Sequence, residues 1–206
     1  MRLIIATSNP NKLQEIQEIY TPLYKDSLQI MAFSSLVKPF EIQENGTTFQ
    51  ENALLKSKAI FQTLKTKNLL SQKDIILSDD SGICVEALQG APGIYSARYS
   101  GGDDKANLKK LLLEVANLPT KTSQAYYCAA IGISSFYGDF SVHGFMYGKV
   151  IATPKGSNGF GYDSMFIPQG FKKTLGELSN QQKNTISHRY IALMRANYIL
   201  RALLFC

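Results

Sequence analysis

The amino-acid sequence predicts a mixed α/β fold, with an elongated central β-sheet flanked by helices. Two observations favour this class: short apolar strands alternate with amphipathic helices in the first half of the chain, and two long strand-like segments then follow one another directly. The 206 residues are 45% hydrophobic and 18% charged, as in ordinary globular proteins, and contain no internal repeat or low-complexity linker. We therefore expect a single domain over residues 1–206, with two lobes around a cleft.

The first half of the chain carries the alternating signals. The stretch RLIIA at 2–6 predicts a first strand, and Pro10 suits the first turn of a helix whose apolar positions recur at helical spacing. Residues 28–33 predict a second strand. A Thr-x-x-Glu pattern, typical of a capping box, then opens a helix over residues 48–64.

The second half of the chain is richer in strand signals. Its predicted elements are, in chain order, strands at 74–78 and 82–88 on either side of a turn, a helix capped by Asp103 or Asp104, two long antiparallel strands at 125–134 and 139–152, a glycine-rich loop at 156–161, and a last helix from about Ser187. This order indicates a sheet that is parallel in one part and antiparallel in another.

The net charge of +6 favours an anionic partner such as a nucleotide, a nucleic acid or a membrane surface. The lysines are scattered, so an extended nucleic-acid-binding stripe is not indicated. No apolar run approaches the roughly 20 residues needed to cross a bilayer, and the apolar start is too short for a signal peptide. We expect neither nucleic acid nor a membrane as the partner.

Cysteine and histidine usage limits the metal chemistry. Cys84, Cys128 and Cys206 lie far apart with no Cys-x-x-Cys, so neither a disulfide framework nor a thiolate zinc site is expected, and a reduced cytoplasm is the simplest location. The chain has only two histidines. Any bound metal should therefore be a hard, oxygen-bound ion such as Mg²⁺.

Four clusters of polar residues are candidates for chemistry. The first, residues 7–12, lies where the first strand meets the first helix, and free N–H groups there suit a phosphate; a plain helix N-cap by Ser8 or Asn9 is the alternative. The second is the pair Asn52 and Lys56, which share one helix face and can border a cleft. A solvated surface face is the alternative for this pair.

The third cluster is the acidic pair that closes a buried apolar strand. Asp79 and Asp80 are adjacent, so in extended chain their side chains point to opposite faces and only one can look into a given site. Carboxylates at the carboxyl end of a strand lie where open α/β sheets bind ligands, and one of them can hold Mg²⁺ or activate water. A solvated Asp-rich turn, with Ser81 and Gly82 completing it, is the alternative.

The fourth cluster lies near the end of the chain. Gly159 and Gly161 flank Phe160, which lets the aromatic ring approach a planar ligand closely. The other polar members are Asp163 and, around the start of the last helix, Lys183, Ser187, His188 and Arg189. A core role for Phe160 and a surface role for Arg189 are the alternatives.

Together these clusters resemble the inosine triphosphate pyrophosphatase family, which removes non-canonical purine nucleoside triphosphates. The matching stretches are T-x-N-x-x-K at 7–12, GTTFQENALLKSKA at 46–59, SDDSGICVEALQGAPGIYSARYSG at 78–101, GFGYD at 159–163 and KNTISHR at 183–189. They span the chain in the family's order. The resemblance implies two lobes around an active-site cleft, a homodimer, and Mg²⁺-dependent hydrolysis of ITP, dITP and XTP to the monophosphate and pyrophosphate.

The resemblance also implies roles for individual residues. Asp80 would be the catalytic residue and a metal ligand. Substrate would be bound by Thr7, Ser8, Asn9, Pro10, Asn11, Lys12, Lys56, Ser81, Phe160, Gly161, Tyr162, Asp163, Lys183, His188 and Arg189. Many relatives carry a metal-binding Glu three positions before the glycine of the GTTF stretch, where this chain has Gln43; the resemblance then leaves Glu44 or Glu41 as the second ligand, and we predict Glu44.

The predicted base site has a physical basis. Inosine and xanthosine carry a 6-keto oxygen that accepts hydrogen bonds, whereas adenosine carries a 6-amino donor. Arg189 can only donate, and a protonated His188 donates from both nitrogens, so such a site rejects adenine. Phe160 and Tyr162 are candidates for stacking on the purine.

Three other functions stay open at this level. They are a nucleic-acid-binding module, a pyrophosphatase for modified pyrimidine nucleotides, and a nucleotide sensor that does not hydrolyse its ligand.

Overall fold

The computed structural model describes residues 1–204, apart from the side chain of Asp26. Its strands are β1 (Arg2–Ile5), β2 (Gln29–Ala32), β3 (Ile75–Val85), β4 (Thr122–Ser135), β5 (Gly138–Ile151) and β6 (Phe166–Pro168). Its α-helices are α1 (Pro10–Tyr24), α2 (Phe49–Thr66), α3 (Asp104–Ala116), α4 (Asn180–Ile186) and α5 (His188–Leu204).

Within the described residues the strands form one six-stranded sheet in the order β2-β1-β3-β4-β5-β6. β1 runs parallel to both β2 and β3, with Leu3 opposite Ile30 and Ile75. β5 and β6 are antiparallel, with Val150 opposite Phe166. The predicted mixed α/β class is therefore confirmed.

The chain divides into two compact units. The first unit comprises Met1–Asp80, Ala129–Gly144 and the chain from Tyr190 onward, and the second comprises Ser81–Cys128 and Phe145–Arg189. β3, β4, β5 and α5 each contribute residues to both units. Two lobes were expected from the sequence, and the two units are described separately below.

The core of the first unit covers both faces of the sheet. Because side chains alternate along a strand, Leu3 and Ile5 pack against α1 and α5, whereas Ile4 and Ile76 pack against α2. All four residues are fully buried. This double cover explains why β1 and the start of β3 read as continuous apolar runs instead of alternating ones.

The core of the second unit lies around the end of β3. Ile83 and Val85 pack with Leu111 and Val115 of α3, together with apolar residues of β4, β5 and β6. The helix α3 begins after Asp103, whose side chain accepts a hydrogen bond from the Ala106 N–H. Of the two predicted caps, Asp103 is therefore the residue that caps this helix.

One sequence prediction about β3 is wrong. Residues 79–81 were expected to form a turn between two short strands, but β3 runs unbroken for 11 residues from Ile75 to Val85. The hairpin between the two long strands is as predicted, since β4 and β5 are sheet neighbours joined by Phe136 and Tyr137. The short elements β6 and α4 had no counterpart in the prediction.

The remaining general predictions have simple outcomes. Cys84 and Cys128 are buried, and neither forms a disulfide with a described residue. Cys206 lies outside the described residues. Among residues 1–204, no helix combines the length and the apolar character needed to cross a membrane.

Candidate active site

The first unit carries an acid–lysine cluster centred on β3. Lys12 Nζ lies 2.5 Å from Asp79 Oδ1. Lys56 Nζ lies 3.1 Å from Asp80 Oδ1 and 3.0 Å from Glu44 Oε2. The two neighbouring aspartates thus have separate lysines, as expected from the alternation of side chains along a strand. These ion pairs let two carboxylates lie within a buried strand where a turn was predicted.

Asp80 is buried, and nearby positive groups compensate only part of the cost of burying its carboxylate. Burial raises the pKa of the Asp80 carboxyl, and the positive charges of Lys56 and Lys12 offset only part of this rise. Its Oδ2 atom is buried and accepts no hydrogen bond from any residue that the structure describes. A buried carboxylate oxygen without a donor is energetically unfavourable, which indicates a site for a further positive group or a proton.

Lys56 is the second buried charge of this cluster. Burial alone would lower its pKa, but the negative charges of Asp80 and Glu44 outweigh that effect and the pKa is raised. The side chain is only 12% exposed. Lys56 is therefore a permanent cation at neutral pH, fixed by two carboxylates. The alternative of a solvated face is wrong for Lys56, and its predicted position at the border of a cleft stays a prediction.

The acid–lysine cluster distinguishes the two candidates for a second metal ligand, Glu44 and Glu41. Glu44 is bridged to Asp80 through Lys56, whereas the side chains of Gln43 and Glu41 are exposed. Within residues 1–204 no three acidic, histidine or cysteine side chains come together as a metal site. Two carboxylates fit Mg²⁺, which usually keeps several waters and takes few protein ligands.

The other member of the second predicted pair has a structural role. Asn52 is fully buried, and its Oδ1 accepts a hydrogen bond from the Gly46 N–H at 2.9 Å. A Cβ at Gly46 would lie 2.7 Å from this oxygen, so only glycine permits the approach. Asn52 thus anchors the segment that carries Glu44, while its Nδ2 is buried and donates no hydrogen bond to any residue that the structure describes.

The loop at residues 7–12 shows the geometry of a helix N-cap. Asn9 Oδ1 accepts hydrogen bonds from the N–H groups of Asn11 and Lys12, and Thr7 Oγ1 accepts one from the Asn9 N–H. α1 begins at Pro10, as predicted. Of the two proposed caps, Asn9 is the residue used, and the exposed side chain of Ser8 is left to solvent. Phosphate binding by this loop stays a prediction.

The second unit carries a cluster around Phe160, which we call the aromatic–cation cluster. Lys183 Nζ lies 4.4 Å from the centroid of the Phe160 ring and 2.9 Å from Asp163 Oδ2. The same carboxylate oxygen accepts the Phe160 N–H at 3.0 Å. Gly159 has a φ of +76°, and a Cβ there would meet Asp163 Oδ2 at 2.1 Å, so the loop requires glycine.

His188 and Arg189 complete the aromatic–cation cluster. Arg189 is 2% exposed and donates to Ser81 Oγ at 2.8 Å. The His188 ring stacks on Tyr127, with centroids 4.6 Å apart and ring planes 14° apart. The surface role considered for Arg189 is therefore wrong. Ser187 has extended backbone at the end of α4, which separates α4 from α5.

Tyr162 differs from its predicted role as a stacking residue. It is 5% exposed, lies in the core of the second unit, and donates its hydroxyl hydrogen to the Ser96 carbonyl at 2.7 Å. A ring that is this deeply buried has little surface to offer a purine. Phe160 is half-buried and lies outside the core clusters of the described residues, so it is the remaining stacking candidate.

Sequence reasoning missed Tyr127. Tyr127 lies two residues from the buried Ala125 and two from the buried Ala129, and residues at this spacing point to the same face of a strand. A tyrosine hydroxyl on such a face needs a polar partner. That parity was the available signal. In isolation it does not identify Asp163, whose Oδ1 lies 3.5 Å from the Tyr127 hydroxyl.

The fold and the two clusters define the molecule as a mixed α/β protein in which each unit carries one cluster that is a candidate for binding an anionic ligand. The model of the Ham1 family matches residues 3–197, and the chain belongs to this family. The relationship inferred from the sequence motifs is therefore confirmed.

Individual relatives agree with this assignment. A dITP/XTP pyrophosphatase of Campylobacter jejuni is 56% identical over 205 residues, which cover 98% of this chain and 98% of that protein. Among solved structures, the Staphylococcus aureus Ham1 protein aligns with a TM-score of 0.82 at 34% identity and covers 98% of this chain and 99% of its own. The Mycobacterium abscessus nucleoside-triphosphatase, or dITP/XTP pyrophosphatase, aligns with a TM-score of 0.71 at 32% identity, covering 95% and 98%.

Proposed function

We propose that this protein hydrolyses the non-canonical purine nucleoside triphosphates dITP, XTP and ITP to the monophosphate and pyrophosphate, and so keeps them out of DNA and RNA. The observation that carries this proposal is the buried Asp80 carboxylate, with Oδ1 on Lys56 and no hydrogen bond from a described residue on Oδ2. The dITP/XTP pyrophosphatases among its relatives support the choice of substrate.

The acid–lysine cluster suits a triphosphate, which carries about four negative charges at neutral pH and must be neutralised before water attacks it. Lys12 and Lys56 supply positive charge beside Asp80. In the proposed reaction water attacks the α-phosphorus, the bond to the α–β bridging oxygen breaks, and pyrophosphate leaves. Asp80 accepts or orients the proton of that water, and its raised pKa makes it a stronger base than an ordinary aspartate.

We propose that Asp80 and Glu44 hold Mg²⁺ in the working enzyme. When bound, Mg²⁺ would supply charge neutralisation and Lewis-acid polarisation of a phosphoryl oxygen. Lys56 then serves a second purpose, because it holds both carboxylates in position before any ligand arrives. Such fixing of the ligands in advance lowers the entropy lost on binding.

We propose that the aromatic–cation cluster recognises the base. Phe160 would stack on the purine, worth about 1–3 kcal/mol by analogy with other base–aromatic contacts. Lys183, His188 and Arg189 offer donors for the 6-keto oxygen, and a 6-amino group would face donor to donor. Asp163 holds Lys183 and the Phe160 backbone together and so shapes this cluster.

We further propose, from the family resemblance, that the protein is a homodimer and works in the cytoplasm. Size-exclusion chromatography with light scattering measures the first point directly. A solution mass equal to one chain would contradict the dimer without affecting the proposed chemistry.

The decisive assay is pyrophosphate release from dITP and XTP, compared with dATP, dGTP and dUTP, with and without added Mg²⁺. We expect release from the first two, with discrimination against dATP of at least about 10³-fold. Release that is strongest with a pyrimidine nucleotide would favour the pyrimidine pyrophosphatase. Tight nucleotide binding without pyrophosphate release would indicate a sensor, and gel-shift binding of nucleic acid without release would indicate a nucleic-acid-binding module.

A further inference from the structure

Tyr127 lies at the centre of the aromatic–cation cluster, although no motif marks it. Its ring stacks on the His188 imidazole at 4.6 Å with the planes nearly parallel. Its hydroxyl lies 3.5 Å from Asp163 Oδ1, while the other oxygen of that carboxylate holds Lys183. One side chain thus joins the histidine to the aspartate–lysine pair.

The position of Tyr127 is rigid. It is 6% exposed, and its ring also packs in a T-shaped arrangement with Phe166, with the ring centroids 4.9 Å apart. Burial, the nearby Asp163 charge and the hydrogen bond to it raise the pKa of Tyr127 well above its usual value. The hydroxyl therefore keeps its proton and acts as a donor toward Asp163 at all physiological pH values.

We propose that Tyr127 is a positioning residue that sets the plane of the His188 imidazole and thereby the selection of 6-keto over 6-amino purines. The effect on substrate selection rests on the proposed function. The structural half, in which Tyr127 holds the plane of the His188 ring, does not depend on it.

The N–H bonds of an imidazole lie in the ring plane, so tilting the plane moves the donor away from its acceptor, and a hydrogen bond weakens steeply when it departs from linearity. A stacked neighbour resists that tilt. Loss of the stack would therefore weaken binding of the correct base while reducing the penalty for the wrong one, since both effects need a fixed donor.

The structural half is tested by NMR on the unliganded protein. The chain contains only two histidines, so the His188 and His143 ring signals can be assigned with a His143→Gln variant. We expect the His188 Cε1 proton to show an upfield ring-current shift relative to His143 and nuclear Overhauser contacts to Tyr127. Both should persist in Tyr127→Phe and disappear in Tyr127→Leu. A His188 signal in wild type with neither feature would overturn the proposal even if no variant folds.

The functional half is tested by kcat/KM for dITP and for dATP. We expect Tyr127→Leu to reduce the dITP/dATP ratio by about tenfold or more, and Tyr127→Phe, which keeps the stack, to stay within about threefold of wild type. The matched control is Tyr126→Leu, which removes a ring from the same strand that packs on Phe145 and Tyr147 instead. An unchanged ratio in Tyr127→Leu, or an equal fall in Tyr126→Leu, would contradict the proposal.

The two tests also separate this inference from the proposed function. If wild-type protein releases no pyrophosphate from any purine triphosphate, the proposed function fails. The NMR result would still decide whether Tyr127 holds His188.

Discussion

Asp80 combines burial, a raised pKa and a carboxylate oxygen without a hydrogen bond from the described chain. A residue chosen only for stability would not have these properties, because an ionised buried carboxylate is favourable only when it is well paired. At the scale of single residues, we interpret Asp80 as a position at which stability is reduced in favour of function.

Replacing Asp80 with asparagine should stabilise the protein at neutral pH. A raised pKa means that the folded state binds the proton more tightly than the unfolded state, so stability is lost as the pH rises through the folded-state pKa. Asparagine cannot ionise. We therefore expect the Tm difference, variant minus wild type, to grow with pH above the ordinary value of 3.8 and then level off. A difference that is independent of pH, measured by scanning calorimetry, would refute this reasoning.

We expect the Glu44 side chain to contribute to Mg²⁺ binding and the Gln43 side chain not to contribute. Removing the charge with Glu44→Gln lowers the negative charge at the proposed Mg²⁺ site, so the Mg²⁺ concentration for half-maximal turnover should rise by about tenfold or more. Gln43→Ala, at the exposed neighbouring residue, is the matched control and should leave it unchanged. The reverse pattern in a Mg²⁺ titration would assign the ligand to Gln43.

At the scale of elements, the site depends on how closely α2 approaches the sheet. Gly132 of β4 makes this approach possible, because a Cβ there would lie 2.7 Å from the Ala53 carbonyl carbon and oxygen and 2.8 Å from Ser78 Oγ. Lys56 lies one turn further along α2. The backbone of the helix, rather than a flexible side chain, would have to move.

We expect Gly132→Ala to lower the free energy of unfolding by about 1–3 kcal/mol, as for other overpacked interiors. It should also reduce turnover, because displacement of α2 moves Lys56 away from Asp80. Urea unfolding monitored by circular dichroism checks the first effect, and pyrophosphate release checks the second. A variant with wild-type stability and turnover would show that α2 can shift freely.

Most elements could be predicted from local patterns. Pro10 and the Thr48–Glu51 capping box mark where α1 and α2 begin, and both starts are confirmed. The turn expected at Asp79 was wrong because partners remote in sequence, Lys12 and Lys56, supply the charges that let two carboxylates stay in a strand. The sequence immediately around Asp79 does not contain that information.

The candidate site was predictable to a similar degree. Motif spacing identified Lys56, Lys183 and Arg189, and the structure places each in a cluster. Motif spacing could not show that Tyr162 is packed in a core or that Tyr127 stacks on His188, because both depend on which strand faces are covered.

At the scale of the whole molecule, charge should govern substrate capture. The protein carries a net charge of +6, and its proposed substrate carries several negative charges. We expect kcat/KM for dITP to fall by roughly threefold to tenfold between about 50 and 300 mM NaCl, because salt screens long-range attraction. The value of kcat at saturating dITP should change little. A kcat/KM that is insensitive to salt would contradict electrostatic capture.

The most direct test is the rate of pyrophosphate release from dITP by Asp80→Asn, at saturating Mg²⁺ and neutral pH, with folding verified by circular dichroism. We predict a loss of several orders of magnitude in a protein that is at least as stable as wild type. Turnover close to that of wild type would remove Asp80 from the chemistry and with it the proposed mechanism.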